Sequence, residues 1–231
     1  MKRTFFLLYI ITCFFAEARA QKAQPLTIQF VNRFGTDPLM PEQTYYLGKD
    51  TLVVNRFKYY ISHIKLTNSK GKIFTPANEY FLVDIADEKT TRLTITVPED
   101  DYVGIGFLLG VDSIRNVSGV QTGALDPLNG MFWTWNTGYI MAKLEGKASS
   151  SMIAGKQFTY HIGGFRGNQN TTRFIELKSP AFTHSISIVA DASVWFKDID
   201  IATTPICHSP GALAIRFANN YSTMFSINQQ P

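Results

Sequence analysis

Arg92-Leu93-Thr94-Ile95-Thr96-Val97, a break at Pro98-Glu99-Asp100-Asp101, and then Tyr102-Val103-Gly104-Ile105-Gly106-Phe107-Leu108-Leu109-Gly110-Val111 form the stretch on which the fold turns. In the first run Leu93, Ile95 and Val97 alternate with polar residues, the mark of a strand with one buried face. In the second, Val103, Ile105, Phe107 and Leu109 share a face, with Gly104 and Gly106 on the other. Glycine inside a strand marks a bulge or a close backbone approach. Pro98 and the acidic residues after it separate the two strands.

The same grammar extends both ways. Strands are predicted at 26–30, 56–67, 79–85, 138–145, 157–162, 173–178, 185–190 and 194–201. The run at 56–67 is apolar on both faces, which suits a central strand. Ser69-Lys70-Gly71-Lys72 reads as a hairpin turn and 32–41 as a loop. The stretch 112–130 is rich in Ser, Asn, Gly and Asp and has little periodicity. A loop of that length in a compact domain is unusual, and such loops are often functional. Near the C-terminus, Ser209 as N-cap and Pro210 at the first helical position open a helix with Leu213, Phe217, Tyr221 and Met224 in one stripe. The expectation is an all-β protein: an antiparallel β-sandwich with long loops and a short C-terminal helix.

Composition agrees. At 231 residues with 45% hydrophobic and 17% charged residues, the chain can bury a core and is not of disordered type. Aromatic residues reach 13%, and they favour pleated, half-buried surfaces. The first 20 residues read as a secretory signal: Lys2 and Arg3, an apolar run, then Ala18-Arg19-Ala20. The run is too short for a membrane span, and none is expected elsewhere. Cys13 lacks the small residues that precede a lipidated cysteine. The expected mature chain, 21–231, is one periplasmic or extracellular domain. Cleavage lowers the net charge of +4 further, so no nucleic-acid footprint is present. It also leaves Cys207 as the one mature cysteine, which excludes an internal disulfide.

The chemistry-bearing residues are few. No nucleophile sits beside a base, and there is no P-loop or tight metal motif. Four histidines remain. His161 lies on the polar face of its strand, beside Gly163, as a metal or ligand group or as a hydrogen-bonded surface histidine. His208 follows Cys207; imidazole and thiolate suit copper or zinc, and a turn histidine beside a buried cysteine is the other reading. His63 is mid-strand among aromatics, where a satisfied core histidine is equally in keeping. His184 opens a strand at the surface. In Met131-Phe132-Trp133-Thr134-Trp135-Asn136, extended backbone would put Trp133 and Trp135 on one face, as core fillers or at a surface site.

Three strings then coincide: Leu109-Gly110-Val111-Asp112-Ser113-Ile114-Arg115-Asn116 leading to Gly123-Ala124-Leu125-Asp126-Pro127; Gly130-Met131-Phe132-Trp133-Thr134-Trp135-Asn136-Thr137-Gly138-Tyr139; and Tyr160-His161-Ile162-Gly163-Gly164. In this order, over roughly residues 25–225, the chain resembles the MbnP-like copper-binding domain family of secreted bacterial proteins. The resemblance implies an exported, non-enzymatic β-sandwich that binds a copper ion for uptake, storage or delivery. In some members of the family, the copper is held by histidines with a tryptophan oxidised to kynurenine, an oxidation assigned to a dihaem peroxidase-like partner. Carried onto this chain, His161 and either Trp133 or Trp135 lead, with His63 or His208 as the second histidine. The rival expectation is a metal-free adhesion or scaffold module of the cell surface.

Overall fold

The structure, a computed structural model, describes residues 22–77, 79–135 and 138–228. The signal-peptide reading of residues 1–20 lies outside the described residues. In chain order the strands are β1 (Ala23–Phe34), β2 (Asp37–Pro38), β3 (Thr44–Leu47), β4 (Asp50–Asn68), β5 (Ile73–Phe74), β6 (Tyr80–Asp84), β7 (Arg92–Pro98) and β8 (Tyr102–Leu109). They continue with β9 (Phe132–Trp133), β10 (Gly138–Ala148), β11 (Gln157–Gly163), β12 (Arg173–Phe182), β13 (Ser185–Asp191), β14 (Ile206–Cys207) and β15 (Phe225–Ile227). Two helices, α1 (Ser113–Val117) and α2 (Ala212–Tyr221), complete the set with several short 3-10 turns.

The strands form two sheets. The five-stranded sheet runs β15-β13-β1-β2, with β7 also on β1; the ten-stranded sheet runs β12-β8-β4-β10-β11-β14, with β3, β5, β6 and β9 attached to β4 and β10. The strand predicted to be central is central: β4 lies between β8 and β10. Pairing is mixed rather than purely antiparallel, because β1 with β13 and β11 with β14 run parallel. Parallel neighbours need long crossovers, and these two pairs are joined far apart in sequence.

Alternating side chains of the two sheets meet in one apolar core. Phe30 of β1 meets Tyr59 of β4 and Phe107 of β8 edge-to-face, each at 5.9 Å between centroids. Such pairs add roughly 0.5–1.5 kcal/mol beyond burial alone. The next residue along β4, Tyr60, belongs to a second cluster with Met131, Trp133, Tyr139 and Met141. The large sheet therefore has two buried faces, the second being covered by the segment 112–135.

Two local expectations need correction. Residues 194–201 are not a strand: Ala192–Phe196 is a 3-10 turn whose N-cap Asp191 accepts from Ser193 N. Adjacent Trp195 and Phe196 are both buried, which strand alternation does not allow. The C-terminal helix begins at Ala212, not at Pro210. Its N-cap is Gly211 at φ 148°, and that left-handed backbone separates Pro210 from the helix. The helix stripe itself is as expected, with Phe217 against Tyr160 at 4.3 Å and Tyr221 against Trp195 at 5.3 Å.

Candidate functional site

The long segment 112–130 is not a featureless loop. Asp112 caps α1 by accepting from Arg115 N. Asn116 then ties α1 to the sheet: its Nδ2 donates to the carbonyls of Val111 and Asp112, and its Oδ1 accepts from Tyr139 N at 2.8 Å. Asp126 caps the 3-10 turn Pro127–Asn129, which ends at Gly130 with φ 70°. Two lysines of the sheet hold that end. Lys58 Nζ donates to Asn129 O at 3.3 Å, and Lys143 Nζ donates to Gly130 O at 2.6 Å. Cations at a helix C-terminal end satisfy its free carbonyls.

This anchoring delivers the aromatic block. Trp133 pairs with Gly138 as part of β9 and is 5% exposed, whereas Trp135 is 61% exposed. Their rings lie 5.3 Å apart at 38°. The two indoles stay together, but one fills the second cluster and the other meets solvent. The buried indole rests on β11: a Cβ on Gly163 would come within 2.8 Å of the Trp133 ring and 2.7 Å of Tyr139 O. Glycine is required there by close approach.

His161 lies two residues before Gly163 on the same strand face. In β11 it pairs with Lys143 of β10. Its Nε2 is 2.6 Å from Glu145 Oε1, and Nδ1 has no hydrogen bond among the described residues. Glu145 also accepts from Arg56 and has Lys143 Nζ at 3.7 Å. Burial pushes the Glu145 carboxyl up, but the hydrogen bonds from His161 and Arg56 and the charge of Lys143 outweigh it and hold the group at about 2. Burial lowers the Lys143 ammonium, and nearby Lys58 and Arg56 lower it further against the pull of Glu145. An open polar cleft of about 410 Å³ is lined in part by Arg56, Glu145 and Thr159.

The other histidines sit as follows. Tyr160 pairs with Cys207, and each is followed in the chain by a histidine, His161 within β11 and His208 beyond the end of β14. Tyr160 points inward, so His161 belongs to the outer face; His208 is exposed just past the end of β14. Cys207 is a free thiol, buried, and burial pushes it up to about 11. It is a packing residue. His63 is not brought to His161. It stands at φ 50° in a register shift of β4, with Nδ1 3.0 Å from Ser62 Oγ and Nε2 3.7 Å from Asp112 Oδ2. Counted along β4 from Lys58, which is level with Lys143, it lies roughly 16 Å up the strand at ~3.3 Å per residue. His184, exposed, precedes β13.

The donors at the His161 corner suit copper in kind. They are the imidazole of His161, the imidazole of His208 just beyond the end of the neighbouring β14, and an indole whose ring-opening oxidation would free an aryl amine. Among the described residues, no group of three or more His, Cys, Asp and Glu is gathered to hold a metal ion. The sequence reading missed Glu145, Lys143 and Arg56. The available signal was the pair Lys143 and Glu145 alternating with Ala142 and Leu144 in an otherwise apolar strand.

The chain belongs to the MbnP family, whose family model matches residues 23–209. A solved structure, MbnP from Methylosinus trichosporium, shares the fold with a TM-score of 0.57 at 16% identity, covering 83% of each chain. No curated protein matches the chain.

Proposed function

We propose that this is an exported, non-enzymatic protein that binds a copper ion for uptake, storage or delivery, at the corner formed by His161 and Trp133. The observation that carries the reading is the seating of the Trp133 ring on Gly163, on the face from which His161 projects. Unmodified indole is a poor ligand. Oxidised to kynurenine, it would offer an aryl amine beside the imidazole, and His208 stands nearest in strand order to add a second ring. The oxidant has to come from outside, and a dihaem peroxidase-like partner has the right chemistry. The exposed Trp135, tilted against Trp133, would give such a partner an accessible aromatic surface. Export follows from the signal-like residues 1–20, and no helix among the described residues is long and apolar enough to cross a membrane.

The test is copper titration of protein exported by its native host. About one copper per chain, lost in His161→Ala with the fold intact by circular dichroism, supports the reading. Intact mass unchanged from the unmodified sequence removes the kynurenine part.

A second reading, the metal-free adhesion or scaffold module, draws on Ile114, Val117, Val120 and Leu128, all exposed on the anchored segment. Apolar groups concentrated on one exposed segment mark contact surfaces. Copper stoichiometry near zero in the same titration selects it.

A further inference from the structure

Glu145 touches His161 directly and Lys143, which anchors the segment leading to Trp133. The Glu145 side chain is 16% exposed and gathers three partners: His161 Nε2 at 2.6 Å, Arg56, and Lys143 Nζ at 3.7 Å. An ionised carboxylate only accepts hydrogen bonds, so the His161 nitrogen facing it carries the proton. The lone pair of the neutral ring is then on Nδ1. Lys143 meanwhile reaches the other way and donates to Gly130 O at 2.6 Å, three residues before Trp133. Carboxylates that accept from the far nitrogen of a histidine fix its tautomer and ring orientation for a metal.

We propose that Glu145 is the positioning residue of this site: it fixes His161 with Nδ1 as the presented nitrogen and, through Lys143 and the Gly130 carbonyl, holds the segment that seats Trp133. The proposal rests on the copper reading for its purpose, but its geometry stands without the metal. Arg56 supports Glu145 from β4, opposite the same position of β10. The groups facing the carboxylate are thus the His161 ring from β11 and the cations Lys143 from β10 and Arg56 from β4.

The experiment is nitrogen NMR of the histidine rings in metal-free protein, followed by copper titration with pulsed EPR of the loaded Cu(II) form. In wild type, His161 is expected as the Nε2–H tautomer, and copper signals come from Nδ1. Glu145→Ala should give mixed tautomers, a copper affinity weaker by about 10–100-fold, and altered nitrogen couplings. Glu145→Gln, which keeps an acceptor oxygen, should recover most of the tautomer preference. Should Glu145→Ala fail to fold, Arg56→Ala, at a surface residue, should give the same changes in smaller measure. An Nδ1–H tautomer in wild type overturns the proposal. So does a Glu145→Ala protein with unchanged tautomer, affinity and couplings. A wild-type protein that binds no copper defeats the functional reading instead, and the tautomer measurement then still judges Glu145 on its own.

Discussion

The charge of Glu145 is a statement about stability as well as geometry. Its carboxyl is held at about 2 in the folded protein, well below the ordinary range near 4.5. A depressed carboxyl stabilises the fold fully above its unfolded value, and the contribution is lost as pH falls through the folded value. Unfolding free energy should therefore drop between about pH 4.5 and pH 2, by something on the order of 2 kcal/mol after allowing for solvent screening. Glu145→Gln should flatten that part of the curve in a urea-denaturation series. An identical acid limb in the variant would mean that the ion cluster adds nothing. None of this was legible in the sequence. His161 was picked out because it lies on the polar face of its own strand beside a glycine, a local feature. Glu145, Lys143 and Arg56 become partners only through the β4–β10–β11 register, which is a property of the sheet.

At the scale of elements, alternation told most of the story. Leu93, Ile95 and Val97 are all buried, as are Ile105, Phe107 and Leu109. Period-2 patterning succeeds there because one face of each strand meets the core and register is fixed by it. It failed at 194–201, where a capped turn buries consecutive rings; the separate reading of Ser209 as N-cap and Pro210 as first helical residue failed because the backbone of Gly211 delays the helix. The segment 112–130 was read as a loop of the kind that is often functional, but its order comes from long-range bonds. Asn116 to Tyr139 and Lys143 to Gly130 are invisible to a local reading. The contact of β9 with β11 supplies a direct test. Gly163→Ala forces a Cβ to within 2.8 Å of the Trp133 ring and 2.7 Å of a backbone carbonyl. Overpacking of this kind costs typically 1–3 kcal/mol. The variant should melt several degrees lower and show a changed near-ultraviolet tryptophan signal. A melting curve and spectrum matching wild type would show that the indole is not seated on Gly163.

For the whole molecule, the two sheets divide the labour. The shared core of Phe30, Tyr59 and Phe107 holds the sandwich together. The outer face of the large sheet carries an anchored aromatic segment, one strand histidine with its carboxylate, and the exposed indole of Trp135. His63 is engaged elsewhere, between Ser62 and Asp112. A copper centre in this chain is thus expected at the edge of β11, not at the bulge of β4. Anomalous diffraction at the copper edge, from crystals of copper-loaded protein purified from its native host, puts this to the most direct test. The account expects one peak within bonding distance of His161 Nδ1 and beside residue 133. A peak at His63, or no ordered copper anywhere on the outer face, would contradict it.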